Sequence, residues 1–473
     1  MLAQRVFRNV IYNSSSILVA NLAGLVVVIF LARALKPELF GIYSLSLSLV
    51  YLFSTFADLG INNAATRYIA EAVSKDDRIL AGSYSSFLLK IKLFLSVFVA
   101  AIVFSISNSV SEIFEKPLAI PLQMLSLFLL FSSLSALLVS MANALNDFRI
   151  NFINSTIFGL SKLLLTLSFV IIGLSLFGAI LALVISSLIS LLFCLLYIRR
   201  FDFLFSGKRN FQKSRIFRFI AFTAFLSFTW LIFANVDTVM VGYFLSSEDV
   251  AYYRAAFSII SAIIGLISFP AVLLPVFVKL EGESLELAFH RAFKYSSALC
   301  IPSAVGLAII SEGILLFAYG SDYIKGLKAM MILSALLISP IFGIYGSFFS
   351  SKERPELNFY PLLISMILNV FLNWILIPIY GIEGAAFATV VSNAIFWLLL
   401  AAICAREFRI VPKLDYLVKP AISAILMAFV GINLQPILAI PVCVAFYSAI
   451  MLLIKGITAE DISFIRKMAK IGA

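Results

Sequence analysis

Long apolar segments follow one another through almost the whole chain, and they limit the folds that are open to it. A helix needs about 20 apolar residues to cross the hydrocarbon core, and lipid offers no partner to unpaired backbone groups. Only 12% of the residues are charged, whereas a soluble domain has about 25%. We therefore predict an all-α polytopic membrane protein with about 14 transmembrane helices. The predicted spans lie near residues 13–35, 41–66, 86–107, 118–144, 152–175, 177–198, 217–244, 250–278, 292–319, 326–349, 357–378, 382–404, 416–433 and 435–455.

The positions of the Lys and Arg residues predict how these helices are oriented. If the N-terminus lies in the cytoplasm, all but six of the 35 Lys and Arg residues fall nearest the cytoplasmic face. Cytoplasmic loops of membrane proteins carry this kind of excess. We therefore predict a multi-pass protein of the cell membrane with both termini in the cytoplasm. The same bias accounts for the net charge of +11 without a nucleic-acid partner.

The longest and most basic connection, residues 199–218, separates the first six spans from the next six. We interpret it as a cytoplasmic linker between an N-terminal lobe, residues 1–198, and a C-terminal lobe, residues 219–405. Residues 406–473 would then form helices 13 and 14 and an amphipathic cytoplasmic tail, which suits the surface of an anionic leaflet.

Two turns support the division into lobes. Residues 35–43 match residues 245–253 at Leu, Glu and Tyr, and residues 176–179 resemble residues 382–385. Each repeat would hold six spans, so the lobes would be related by a pseudo-two-fold axis along the membrane normal. The alternative is that short turns of small residues simply recur in membrane proteins.

Residues that usually hold metals or perform catalysis are scarce. The chain has one histidine, His290, and its four cysteines stand in apolar runs without Cys-x-x-Cys spacing. Such cysteines are typical of small packing residues. We predict no metal and no cofactor, and no ATP-binding motif is present, so any step that needs energy would draw on an ion gradient, the membrane potential or consumption of the product.

Several motifs carry a resemblance to a known superfamily. They are residues 32–43 (ARALKPELFGIY), 57–61 (ADLGI), 66–71 (TRYIAE), 235–244 (NVDTVMVGYF) and 252–256 (YYRAA). The chain resembles the multidrug/oligosaccharidyl-lipid/polysaccharide exporter superfamily, and within it the Wzx-type O-antigen and polysaccharide flippases. The resemblance implies two six-helix lobes around a central cavity, two extra C-terminal helices, and movement of a lipid-linked (pyro)phosphate oligosaccharide to the outer leaflet. It also implies a helix bend at the Asp-Leu-Gly of residues 58–60.

Charged and amide side chains inside the spans are the candidate site residues, because such groups usually face a cavity or a partner. Lys162 lies about 15 Å inside its span at 1.5 Å per residue, so we predict that it attracts the substrate phosphate. Its alternative is a structural pair with an acid such as Asp58. Arg254 would receive the pyrophosphate or pair with Asp237. Asn143 and Asn369 would bind sugar hydroxyls or join helices.

Other charges and two prolines complete the candidates. Asp58 and Asp237 would carry a coupling proton or sodium ion, or serve as structural charges. Lys90 and Lys92 would steer an anionic headgroup at the cytoplasmic side, or simply extend their charges to the interface. Pro270 and Pro275 would form a hinge, because proline kinks a helix.

Three other function classes were weighed against the flippase. An ion-coupled extruder of organic cations from the same superfamily would share the span count and would use the acidic residues. An enzyme is not expected, because the longest loop is basic and has no carboxylate cluster or nucleotide-binding glycine loop. An ion channel is disfavoured because no filter-like segment repeats. The expected partners are the lipid-linked oligosaccharide, membrane lipids and glycan-assembly enzymes.

Overall fold

The computed structural model describes residues 2–461, apart from residues 208, 268–272, 274–276, 433, 435, 459 and 460. This part of the chain is built from α-helices and short 3-10 turns, and no strand occurs in it. The helices are α1 Leu2–Asp58, α2 Ile61–Ser74, α3 Arg78–Phe114, α4 Ala119–Ala144, α5 Arg149–Ile171, α6 Ser175–Ile198, α7 Phe203–Ser206, α8 Lys213–Phe244, α9 Ser247–Ile267, α10 Gly282–Ala318, α11 Leu327–Leu333, α12 Ser339–Ser351, α13 Phe359–Phe408, α14 Asp415–Gly431 and α15 Pro436–Leu453.

The all-α membrane fold predicted from the sequence is confirmed. Nine helical segments in the described residues are long and apolar enough to cross a membrane. Two long helices each contain a sharp kink, α1 at Lys36 (φ 58°, ψ 173°) and α13 at Gly381 (φ 62°, ψ −140°), so each joins two predicted spans. The count of 14 spans stays a prediction.

The second predicted span, residues 41–66, is not one continuous helix. Helix α1 ends at Asp58, Leu59 and Gly60 have positive φ, and α2 begins at Ile61. Gly60 suits this bend for two reasons. Its φ of 77° is unfavourable for other residues, and a Cβ at this position would lie 2.1 Å from Thr223 Oγ1 on α8. The bend at Asp-Leu-Gly that the resemblance implied is therefore present.

The described chain packs as two compact units. Unit 1 contains residues 1–258 and 366–385, and unit 2 contains residues 259–365 and 386–473. Helix α8 and most of α9 belong to unit 1, where α8 contacts α1 and α2, so the units do not follow the predicted lobe boundaries. The division into lobes at residues 198 and 219 stays a prediction.

The basic linker, residues 199–218, is packed against the rest of unit 1. Arg209 forms an ion pair with Asp77, and Arg215 contacts the Glu71 carboxylate at 3.1 Å. Hydrogen bonds and charges from Lys75 and Arg215 hold the pKa of Glu71 below its usual range, although slight burial opposes them. Two of the basic residues in the linker, Arg209 and Arg215, thus form ion pairs that hold the linker against unit 1.

In unit 2, α10 packs against α14, and α14 packs against α15. The buried core of this unit is rich in aromatic side chains, including Phe289, Phe293 and Phe348. All four cysteines of the chain are free and buried, as expected for packing residues. Two predicted features lie outside the described residues, namely the hinge prolines Pro270 and Pro275 and most of the tail after Thr458.

Candidate functional site

A cavity of about 360 Å³, lined by both polar and apolar side chains, lies inside unit 1. Helices α1, α2, α3, α4 and α8 contribute its walls, and they bring serine, threonine, asparagine, aspartate and lysine side chains to membrane depth. Such groups are expensive in an apolar environment unless they have partners. The lining residues are Val50, Tyr51, Ser54, Thr55, Asp58, Asn62, Lys92, Phe128, Leu129, Ser132, Ser133, Ala136, Ser227, Trp230 and Leu231.

An ion pair stands in the wall of this cavity. Lys92 Nζ on α3 contacts Asp58 Oδ1 at 2.5 Å, and the lysine side chain is 1% exposed whereas the aspartate is 24% exposed. The backbone N–H of Asn62 also donates to Asp58 Oδ1, at 3.4 Å. Because α1 ends at Asp58, the bend at residues 59–60 lets the same carboxylate accept from both α2 and α3. The pair keeps two charges stable at this depth, and the carboxylate faces the cavity.

Two polar atoms beside the cavity have no hydrogen-bond partner in the described part of the chain. They are Thr55 Oγ1 and Asn62 Oδ1, and both are buried. A buried polar group without a partner costs about 1–3 kcal/mol, so a ligand hydroxyl or a water at this wall would lower the free energy. Together with Ser132 and Ser133, these groups can bind a ligand that carries several hydroxyls.

A second buried polar cluster joins three helices of unit 1. Asn373 Nδ2 on α13 donates to Asp237 Oδ1 on α8 at 2.6 Å and to Asn369 Oδ1 at 3.1 Å. The Tyr253 hydroxyl on α9 donates to Asp237 Oδ2 at 3.1 Å. Asn369 and Asn373 are both fully buried, and Asn369 Nδ2 and Asn373 Oδ1 have no partner in the described residues. The cluster therefore holds a carboxylate among amide groups, with hydrogen-bonding capacity left over.

The structure brings some of the predicted site residues together and leaves others apart. Asp58 and Lys92 meet in the cavity wall, so Asp58 is paired with Lys92 and not with Lys162. Lys162 is half-buried on α5, and no hydrogen bond or ion pair joins it to any residue that the structure describes. Lys90 is exposed on α3, although Lys92 two residues later is buried.

The remaining two predicted residues, Arg254 and Asn143, differ in their surroundings. The Arg254 guanidinium lies over the Phe257 ring, 5.7 Å from its centroid. Asn143 is half-buried in the last turn of α4, and its Oδ1 has no hydrogen-bond partner among the described residues. Neither Arg254 nor Asn143 is part of the cavity wall, and their roles in substrate binding stay predictions.

Sequence reasoning missed several members of the cavity. Thr55 and Asn62 lie three residues before and four residues after Asp58, a spacing that would place the three side chains on one face of a continuous helix, although the chain bends at residues 59–60. This polar face could have been found from the sequence. Helices α4 and α8 contribute Ser132, Ser133 and Trp230. Nothing in the local sequence distinguishes these residues from other serines and aromatic residues in the predicted spans.

Comparison with known proteins places the chain in a family. Residues 6–281 match the model of the family described as polysaccharide biosynthesis protein. The chain is 27% identical over 197 residues to a probable low-salt glycan biosynthesis flippase, Agl15, of Haloferax volcanii, a match that covers 40% of this chain and 41% of that protein. It is 25% identical over 225 residues to the probable flippase AglR of the same organism, covering 45% and 46%. The chain thus spans less than half the length of these curated relatives.

Solved structures confirm the fold. The structure of the lipid II flippase MurJ in an inward closed conformation aligns with a TM-score of 0.75 at 18% identity, over 91% of this chain and 96% of that chain. An inward-facing multidrug resistance MATE family transporter of the MOP superfamily aligns with a TM-score of 0.65 at 14% identity, over 83% and 94%. At such identities the likeness concerns the fold alone. Because the family model matches more than half of the chain, the chain belongs to the polysaccharide biosynthesis protein family.

Proposed function

We propose that this protein is a flippase that moves a lipid-linked (pyro)phosphate oligosaccharide from the inner to the outer leaflet of the cell membrane. The glycan would serve the assembly of a polysaccharide or another cell-surface glycan, and the two predicted lobes would alternate access. Family membership and the two flippase relatives support this activity. The observation that carries it is the unit 1 cavity, which offers hydroxyl, amide and charged groups at membrane depth.

The cavity chemistry suits a sugar better than an apolar cation. Sugar hydroxyls both donate and accept hydrogen bonds, and the wall supplies serine and threonine hydroxyls, the Asn62 amide and the Asp58 carboxylate. The Trp230 ring supplies a flat apolar surface for a sugar face. Lys162 and Arg254 are the proposed partners of the phosphate groups, since a cation contributes more to a hydrogen bond with an anion than a neutral donor does.

Coupling to an ion is part of the proposal. A proton or a sodium ion would bind at Asp237 or Asp58, each a carboxylate at membrane depth with hydrogen-bond donors already aimed at it. At Asp237 the unpartnered Asn373 Oδ1 adds an oxygen that a cation could use. The test measures whether flipping depends on a sodium or proton gradient. If Asp237→Asn loses this dependence and Asp58→Asn keeps it, the ion binds at Asp237.

The decisive test is a flipping assay in proteoliposomes. A fluorescent polyprenyl-pyrophosphate oligosaccharide is placed in both leaflets, and a membrane-impermeant reductant bleaches the label that reaches the outside. We expect faster bleaching than in protein-free vesicles. Lys162→Ala and Arg254→Ala should each lower the rate by about tenfold or more, because a hydrogen bond to a charged group is worth about 1.5–3 kcal/mol.

Lys352→Ala is the matched control, because Lys352 is an exposed lysine between α12 and α13. A similar loss of rate in this variant would mean that the effect comes from charge in general. If the protein flips none of several lipid-linked sugars but drives ion-dependent efflux of an organic cation, it is an organic-cation extruder and the flippase proposal is wrong. Two observations favour this second candidate function, namely the fold similarity to a multidrug transporter and the acidic Asp58 in the cavity wall.

A further inference from the structure

A cluster of lysines surrounds a small polar cavity in unit 2, which shares no lining residue with the cavity already described. This cavity has a volume of about 200 Å³, and Lys294, Lys413, Lys419 and Lys455 line it together with Tyr416 and Asp415. The residues come from α10, from the segment before α14, from α14 itself and from the segment after α15. The charge bias of the sequence predicts that these segments lie at the cytoplasmic face.

Two of the four lysines are already paired. Lys294 Nζ contacts Asp461 Oδ2 at 2.5 Å, and Lys419 Nζ contacts Asp415 Oδ2 at 3.4 Å. Although burial opposes it, hydrogen bonds from Lys294, Thr458 and Tyr295 hold the pKa of Asp461 well below its usual range, so this acid stays ionised.

The other two lysines supply an excess of positive charge. Lys413 and Lys455 are exposed, and no ion pair joins either of them to a residue that the structure describes. With Lys294 and Lys419 neutralised by their acids, the cavity is left with two cations that have no counter-ion in the described chain. An anion of phosphate size would fit both the charge and the volume.

An apolar cavity of about 440 Å³ continues along the same three helices. On α10 it begins at Ala298, one turn after Lys294, and on α15 it ends at Ser448, just before Met451 of the basic cavity. Two of its lining side chains, Ile440 and Val444, are more than half exposed, so the cavity opens to the hydrocarbon of a membrane. Basic and apolar cavities therefore follow one another from the predicted membrane surface inward.

We propose that the two cavities form one site for an anionic phospholipid of the inner leaflet. The headgroup phosphate binds between Lys413 and Lys455, and an acyl chain lies in the apolar cavity beside Gly306. Basic pockets between transmembrane helices at the cytoplasmic side bind such headgroups by charge, while the tail adds apolar burial. This site is separate from the unit 1 cavity, so the inference does not rest on the proposed transport activity.

The test measures lipid binding by native mass spectrometry of the purified full-length protein, with thermal unfolding in detergent as a second readout. Dioleoylphosphatidylglycerol should bind and raise the unfolding temperature, whereas dioleoylphosphatidylcholine and inorganic phosphate should do neither. The double variant Lys413→Gln/Lys455→Gln should bind phosphatidylglycerol roughly 30-fold more weakly, because each lysine near the surface contributes about 1 kcal/mol. Lys352→Gln, which removes a lysine of unit 2 outside the cavity, should bind as the wild type does.

A second variant tests the tail. A Cβ at Gly306 would meet Met427 Cε at 3.8 Å and nothing closer, and Gly306 lines the apolar cavity, so we expect the ring of Gly306→Phe to occupy that cavity. This variant should also lose phosphatidylglycerol binding while keeping its unfolding temperature without lipid. Equal binding of phosphatidylcholine, unchanged binding in both variants, or an equal loss in Lys352→Gln would overturn the proposal. A response to inorganic phosphate as strong as that to phosphatidylglycerol would mean a free-anion site and would also overturn it.

Discussion

The cavity of unit 1, about 360 Å³, contains an ion pair and many hydroxyl groups, whereas the larger cavity of unit 2, about 440 Å³, is lined mainly by aliphatic side chains. In unit 1 the charges lie inside spanning helices, at Asp58 and Lys92. In unit 2 the lysines of the proposed lipid site surround a separate basic cavity near the ends of the helices. The difference teaches that Asp58 and Lys92 are held at depth as a pair that two helices bring together, and that the apolar cavity suits the apolar part of a lipid.

The largest expected effect comes from breaking the buried ion pair. Lys92→Met leaves the Asp58 carboxylate at membrane depth without its cation, and such a loss costs about 3 kcal/mol or more. We expect a marked fall in the thermal unfolding temperature in detergent. Asp58→Asn/Lys92→Met should recover most of the stability, because replacing both partners removes the unpaired charge. If the single and the double variant are equally unstable, the pair is not what stabilises this wall.

A smaller effect is expected at the Asp237 cluster. Asn373→Ala removes the 2.6 Å hydrogen bond to Asp237, and losing one bond to a buried carboxylate costs about 2 kcal/mol. The matched control is Asn393→Ala, since the Asn393 amide donates to the Thr389 carbonyl of its own helix. Thermal unfolding should distinguish the two variants. An equal loss in both would show that the cluster contributes no more than a local helix bond.

The smallest effect compares glycines of the two units. Gly306→Ala should raise the stability of α10 by up to about 1 kcal/mol, because its Cβ would make only an ordinary contact with Met427 Cε at 3.8 Å and alanine favours a helix. Gly82→Ala should have the opposite sign, because a Cβ there would lie 2.1 Å from the Phe203 carbonyl oxygen and push the linker segment away. Unfolding temperatures of the two variants check the contrast. Destabilisation by Gly306→Ala would mean that the unit 2 cavity is closed around this residue.

Much of the fold could be predicted, because span length and hydropathy are properties of local sequence. The break at Asp58 was missed as a helix boundary, since residues 41–66 have the length and overall hydrophobicity of one span and only the motif at residues 58–60 indicates the bend. The candidate site was predicted in part. Asp58, Lys92, Asp237 and Asn369 stand in buried polar groups, whereas Thr55 and Asn62 were not identified.

The sequence by itself determined that this protein is an all-α membrane protein, and it predicted the orientation. Lipid leaves the backbone few choices, so apolar length and loop charge carry that information. Tertiary structure alone decided which charges meet. Lys92 pairs with Asp58 across 34 residues, and Asn373 bonds Asp237 across 136 residues. Which face each helix turns toward its neighbours is set by packing over the whole unit, and for this reason Lys92, and not Lys162, is the partner of Asp58.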